Sequence, residues 1–140
     1  MKLSSYGSEA AKIVICTETT LPPSWFEYLN IPDKELLIVY FPKNLKTNDF
    51  VDRFRDTCSS QQFQKFEMII TVGAGIGKIF KPTLNMKKEC GQIYVPDLLF
   101  KKYKICHLRA PGYYKAVKMA DEFKQLQDLR IHFLSYYKWI

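Results

Sequence analysis

Gly73, Gly75 and Gly77, followed directly by Lys78, are the residues whose types and spacing point most clearly to anion-binding chemistry. Glycines let a backbone turn sharply and approach a ligand with no Cβ in the way, so that successive N–H groups can face an anion. A lysine beside them adds a full positive charge. The glycines follow Met68 to Val72, a short continuous apolar run of the kind buried on both faces in the middle of a sheet. Two further groups belong with this loop. Glu18, Thr19 and Thr20 follow the apolar run Ala11 to Cys16, and Arg109 follows Tyr103 to Leu108. Ligands of open parallel sheets bind beyond the carboxyl ends of the strands. All of these residues would therefore share one edge if their strands run parallel.

The loop differs from two phosphate-binding motifs. A P-loop places four residues between its first glycine and the Gly-Lys pair and then a Ser or Thr; here Gly73 and Gly77 enclose three, and Ile79 follows the lysine. The dinucleotide fingerprint is Gly-x-Gly-x-x-Gly, against Gly-x-Gly-x-Gly here. The glycine spacing after a strand resembles the first motif of class I S-adenosylmethionine-dependent methyltransferases, with Thr71 where that family carries an acid. Leu21-Pro22-Pro23-Ser24-Trp25 resembles the Asp-Pro-Pro-aromatic motif of amino-methyltransferases, with Leu21 in the place of the acid and Ser24 before the aromatic residue. That resemblance implies a methyl-donor site at the loop, with Asp97 in the place of the acid on the ribose. A turn that only lets the chain leave a strand is the structural alternative.

Other chemistry is sparse. Cys106 and His107 are adjacent on a strand and so point to opposite faces, which predicts a buried cysteine and a surface histidine rather than a dyad. His132, among aromatic residues, reads as a packed side chain. No His/Cys spacing suits zinc, no Asp-x-Asp loop suits calcium, and no metal is expected. Cys16, Cys58, Cys90 and Cys106 lack motif spacing and read as reduced thiols of an intracellular, cytoplasmic or nuclear protein.

Charge is more informative. The 140 residues carry a net +7, unevenly placed. Residues 1–70 hold eight Lys/Arg against nine Asp/Glu, and residues 71–140 hold thirteen against five. Between Lys78 and Lys118, ten cations face only Glu89 and Asp97 and alternate with Tyr94, Phe100, Tyr103, Tyr113 and Tyr114. Such a field favours phosphates, nucleic acid or an acidic protein surface, and one or two of those tyrosines are expected to be exposed for stacking. No apolar run approaches the roughly 18 residues of a membrane span, so no membrane partner is expected.

The elements that must hold these groups alternate. Apolar runs at 11–16, 36–41 and 67–72 predict parallel strands. They are separated by a short helix capped by Ser24 and by a helix from about Asp49 to Cys58. Gln92–Val95 and Tyr103–Leu108 predict two more strands. An amphipathic helix is expected over 113–129, with Ala116, Met119, Ala120, Phe123 and Leu126 on its apolar stripe. The aromatic tail is expected to be a last edge strand or more helix. The fold expected is one α/β domain over 1–140, a mainly parallel central sheet flanked by helices in a Rossmann-like three-layer sandwich. The function expected is a module binding a nucleotide or nucleic acid. The alternatives are an enzyme on a nucleotide-like substrate, such as a degenerate methyltransferase, and a non-catalytic accessory protein, such as a small viral factor, docking an acidic partner.

Overall fold

A computed structural model describes residues 4–8, 10–42, 49, 66–96, 103–113 and 119–139. Among the described residues six strands form one mixed sheet, β1 (Ser4–Gly7), β2 (Ile13–Thr17), β3 (Leu36–Tyr40), β4 (Met68–Val72), β5 (Ile93–Tyr94) and β6 (Lys104–Leu108). Across the sheet they lie in the order β1-β3-β2-β4-β6-β5. The β3, β2, β4 and β6 strands are parallel, and β1 and β5 close the two edges antiparallel. The three runs singled out above are thus parallel, with β2 between the other two. Every residue of β2 and β4 is buried, which is why those stretches carry no polar alternation.

Side chains alternate between two cores. One face packs Ile13, Ile15, Met68, Ile70, Val72, Cys106 and Leu108 against helices α1 (Pro23–Leu29) and α5 (Gln127–His132), through Trp25, Leu29 and Leu129. The other packs Val14, Cys16, Val39, Ile69 and Ile105 against Ile76 and Phe80 of α2 (Ala74–Phe80). The remaining α-helices among the described residues are α3 (Met86–Glu89) and α4 (Met119–Lys124), and a 3-10 turn, Asp33–Glu35, leads into β3.

Helix α1 starts differently from expectation. Pro22 is its N-cap and Pro23 its first residue, with no side-chain cap; Ser24 lies inside the first turn. Proline suits that position because its missing N–H would have had no helical partner. The helix stops at Asn30, left-handed at φ 54°, whose N–H bonds Phe26 O at 2.8 Å. The helix expected at 49–58 lies outside the described residues. The one expected over 113–129 is described from Met119, is interrupted before Gln127 and continues as α5; Leu126 is buried but Ala120 is exposed.

The tail is helix, not strand. A π-helical turn, Phe133–Tyr137, continues α5 and ends at a left-handed Lys138. Tyr137 donates its hydroxyl proton to Glu67 Oε2 (2.6 Å), and the Lys104 ammonium sits 3.9 Å from the Tyr136 ring centroid. Both contacts tie the tail to the amino edge of β4 and β6. No helix among the described residues is long and apolar enough to cross a membrane.

Candidate functional site at the carboxyl edge of the sheet

Register places the predicted site residues in one line. Tyr40, Thr17, Val72 and Leu108 pair across the four parallel strands, so the next residues, Phe41, Glu18, Gly73 and Arg109, form the row just beyond. The ladder continues into that row, with Phe41 N–H on Thr17 O at 2.9 Å and Gly73 N–H on Leu108 O at 2.8 Å. With neighbouring strands about 4.8 Å apart, the Glu18 and Arg109 backbones are separated by about 10 Å. Strand order reverses here, since the chain leaves β2 towards β3 and leaves β4 towards β6 on the other side.

The Glu18 turn is shaped by a residue the sequence did not single out. The buried Thr17 hydroxyl donates to Thr19 O (2.9 Å) and accepts from Thr19 N–H (3.1 Å). This local turn leaves Glu18, Thr19 and Thr20 exposed at the edge.

The three glycines have three different jobs. Gly73 makes the turn at φ 105°, and its N–H is spent on the sheet. Gly75 already belongs to α2 and is exposed; a Cβ there would lie 3.9 Å from Glu18 Oε1. Gly77 is buried inside α2, and a Cβ there would stand 2.6 Å from Leu84 Cδ2 and 3.2 Å from His107 Nδ1. What reads in sequence as one glycine loop is therefore a single turn residue followed by a helix start. The Glu18 carboxylate faces that start and complements its positive end. Lys78, three residues after Gly75, is exposed on the same outward side of α2. Of the two cations expected here, Lys78 is exposed and Arg109 half-buried, while the amides of Gly73 and Gly77 are used by the fold.

Arg109 stacks its guanidinium 4.1 Å from the Tyr113 ring centroid, and Tyr113 is 57% exposed. Of the five aromatics interleaved with the basic segment, Tyr94 and Tyr103 are half-buried, and Phe100 and Tyr114 lie outside the described residues, as does Asp97. Lys87 and Lys88 on α3 are exposed, whereas Lys81 pairs with Glu89. The Asn85 N–H and the Lys81 ammonium together hold the Glu89 carboxyl below its usual range.

His107 is the main departure from the sequence reading. It is buried, not on the surface, at 1% exposure. Its Nδ1 shares a hydrogen bond with Thr71 Oγ1 (2.6 Å) and its Nε2 one with Tyr94 OH (2.6 Å). Burial pushes its pKa down to about 4, and burial with the nearby Glu89 pushes the Tyr94 phenol up to about 12. The imidazole is therefore neutral at pH 7, one N–H donor and one acceptor between two hydroxyls. This chain of bonds lies beneath Gly77, so the glycine makes room for the network. The clue to it was β5, which lies beside β6 and brings Tyr94 over the ring; strand pairing is not written locally.

Cys16 and Cys106 are buried and Cys90 is half-buried, while Cys58 lies outside the described residues. Burial raises the Cys106 thiol far above its ordinary value, so it is a packing group rather than a nucleophile. A disulfide-exchange reagent should accordingly titrate Cys90 in the native protein and reach Cys16 and Cys106 only on unfolding; rapid native labelling of Cys106 would contradict this burial. Among the described residues, no three His, Cys, Asp or Glu side chains are grouped to hold a metal ion. No protein-family model matches the chain, and no curated protein matches it.

Proposed function

We propose that this chain binds a phosphate-bearing ligand, a nucleotide or a nucleic acid, at the carboxyl edge of its sheet. The observation that carries the reading is the row Glu18–Gly73–Arg109 across three adjacent parallel strands, at the point where strand order reverses. In doubly wound sheets that point opens a crevice, because the two flanking connections leave in opposite directions. We read the chain as such a Rossmann-like three-layer sandwich, on the support of its four parallel strands and its apolar cores on both faces.

The chemistry of the row is mixed. Arg109 and Lys78 offer charge to phosphate oxygens, Glu18 accepts from hydroxyl or amino donors, and Tyr113 offers a ring face. A ligand combining phosphate with a sugar or base matches all three; inorganic phosphate alone would meet the Glu18 carboxylate uncompensated. Lys87 and Lys88, exposed on α3, extend the positive surface for a longer strand.

The test is binding of a fluorescein-labelled single-stranded oligonucleotide, and of unlabelled nucleoside triphosphates by thermal stabilisation, across a salt series. Oligonucleotide affinity should fall steeply with salt, and Lys78→Ala should reduce the slope of log K against log salt by about one without lowering stability. Lys34→Ala, at an exposed position in the turn before β3 and so at the amino end of the parallel strands, serves as the control and should leave the slope unchanged. Equal effects of the two substitutions, or no binding of either ligand class, would remove the proposal.

A further inference from the structure

Arg109 is held at its place in the row by something other than a strand. The antiparallel register of β5 on β6 pairs Ile93 with Cys106 and Tyr94 with Ile105. Continued backwards, it brings Gly91 to the end of β6, where the Gly91 N–H bonds His107 O at 2.8 Å. Beyond that point β5 supplies no partner for the main chain of Arg109. The side chain of Gln125, between α4 and α5, takes its place. Arg109 N–H donates to Gln125 Oε1 at 2.9 Å, and Gln125 Nε2 donates to Arg109 O at 3.3 Å. Cys90 Sγ donates to the same Oε1 at 3.1 Å.

A carboxamide is a peptide group without a chain. Its carbonyl and its NH2 can meet one residue's N–H and C=O together, as an opposing strand residue does in a hydrogen-bonded antiparallel pair. Gln125 is buried, at 7% exposure, so those bonds form away from competing water. They extend β6 by one residue and fix the direction in which the Arg109 side chain leaves the sheet, towards the exposed ring of Tyr113.

We infer that Gln125 is the positioning residue of the carboxyl-edge site: it sets the Arg109 backbone and, through it, the guanidinium that meets the ligand phosphate. The ligand part of this inference rests on the function proposed above. Other side chains fail for stated reasons. Glutamate keeps the acceptor but offers Arg109 O a second oxygen instead of a donor. Asparagine is one methylene too short for both bonds, and methionine fills the space with neither.

The experiment is a double-mutant cycle with Gln125→Glu and Gln125→Met, each alone and with Arg109→Ala, read by affinity for the labelled oligonucleotide, by stability, and by the Arg109 side-chain Nε–H resonance with its contacts to the Tyr113 ring. Each Gln125 variant should weaken binding by about tenfold in the parent and by almost nothing in the Arg109→Ala background, since residues acting through one another are not additive. Its stability loss should be the same in both backgrounds. A buried structural role alone would move stability and leave affinity, and that result would overturn the inference. Equal affinity losses in both backgrounds would overturn it too. If Arg109→Ala itself leaves binding intact, the proposed ligand site is wrong. The positioning claim is then judged by the resonance, which must shift and lose its Tyr113 contacts in Gln125→Glu if Gln125 sets that side chain, and must stay put if it does not.

Discussion

Gly91→Ala is expected to remove roughly 2–4 kcal/mol of stability and to lower the thermal midpoint by about 7–14 °C. Two costs add at this residue. Its φ of +81° is a backbone region that L side chains rarely adopt, and a Cβ would lie 2.6 Å from Gln125 O and 3.3 Å from Gln125 C and Cα. Those are main-chain atoms, so no rotamer change relieves the contact. The position is buried and its N–H is bonded to His107 O, so the turn cannot swing outwards without losing that bond. Gly75→Ala offers a control of opposite sign. Gly75 is exposed in α2 with only an ordinary contact distance to Glu18, so alanine should be neutral or gain up to about 1 kcal/mol of helix propensity. Urea melts of the two variants beside the parent decide it. A Gly91→Ala protein as stable as the parent would mean that the close approach of the Gly91 turn to Gln125 does not exist in solution. Because the strain falls on Gln125, this variant should also disturb Arg109, in the same direction as the Gln125 substitutions.

Acid should destabilise the protein through His107 well before its carboxylates titrate. The imidazole has a folded pKa of about 4 against 6.5 for an ordinary histidine, chiefly because burial disfavours the charged form; Glu89 opposes that shift and Lys81 adds to it. The unfolded chain therefore takes up a proton that the folded chain refuses. Stability from this group is complete above pH 6.5, falls as pH drops through the window, and is lost near pH 4, a total of about 3 kcal/mol. In His107→Gln that acid limb should disappear. The variant should be weaker than the parent at pH 7 by roughly 1–3 kcal/mol, because Thr71 and Tyr94 lose their shared partner. The two stability profiles should then converge as pH approaches 4. Parallel profiles across the window would show that His107 is solvated and protonated freely, contrary to its burial.

What the sequence determined by itself was the alternation of elements and the edge on which Glu18, Gly73 and Arg109 fall. A strand covered on both faces must be apolar at consecutive positions, so β2, β3 and β4 announced themselves as unbroken runs and their exits could be counted off directly. The turn at Gly73 was equally local, since it is a matter of one residue's backbone preference, whereas the start of α1 at Pro22 instead of Ser24 and its stop at Asn30 were seen only in the structure. Pairing was not local. Ser4–Gly7 carries no apolar pattern and becomes a strand only because the edge of β3 is there to receive it. His107 looks like a surface residue until β5 and α2 close over β6 and oblige it to share its two nitrogens between Thr71 and Tyr94. Gly73, Gly75 and Gly77 read as one loop because spacing records only that a side chain is missing. Whether the gap serves a turn, a neighbouring carboxylate or a buried ring depends on what the tertiary structure places against it. Gln125 is the extreme case. Its carboxamide bonds a residue sixteen positions away in the chain, and nothing in its own surroundings marks it as the group that completes β6. Hydrophobic pattern and backbone preference are properties of neighbours in sequence, whereas burial of a polar group and its choice of partner are properties of neighbours in space, and only folding decides those.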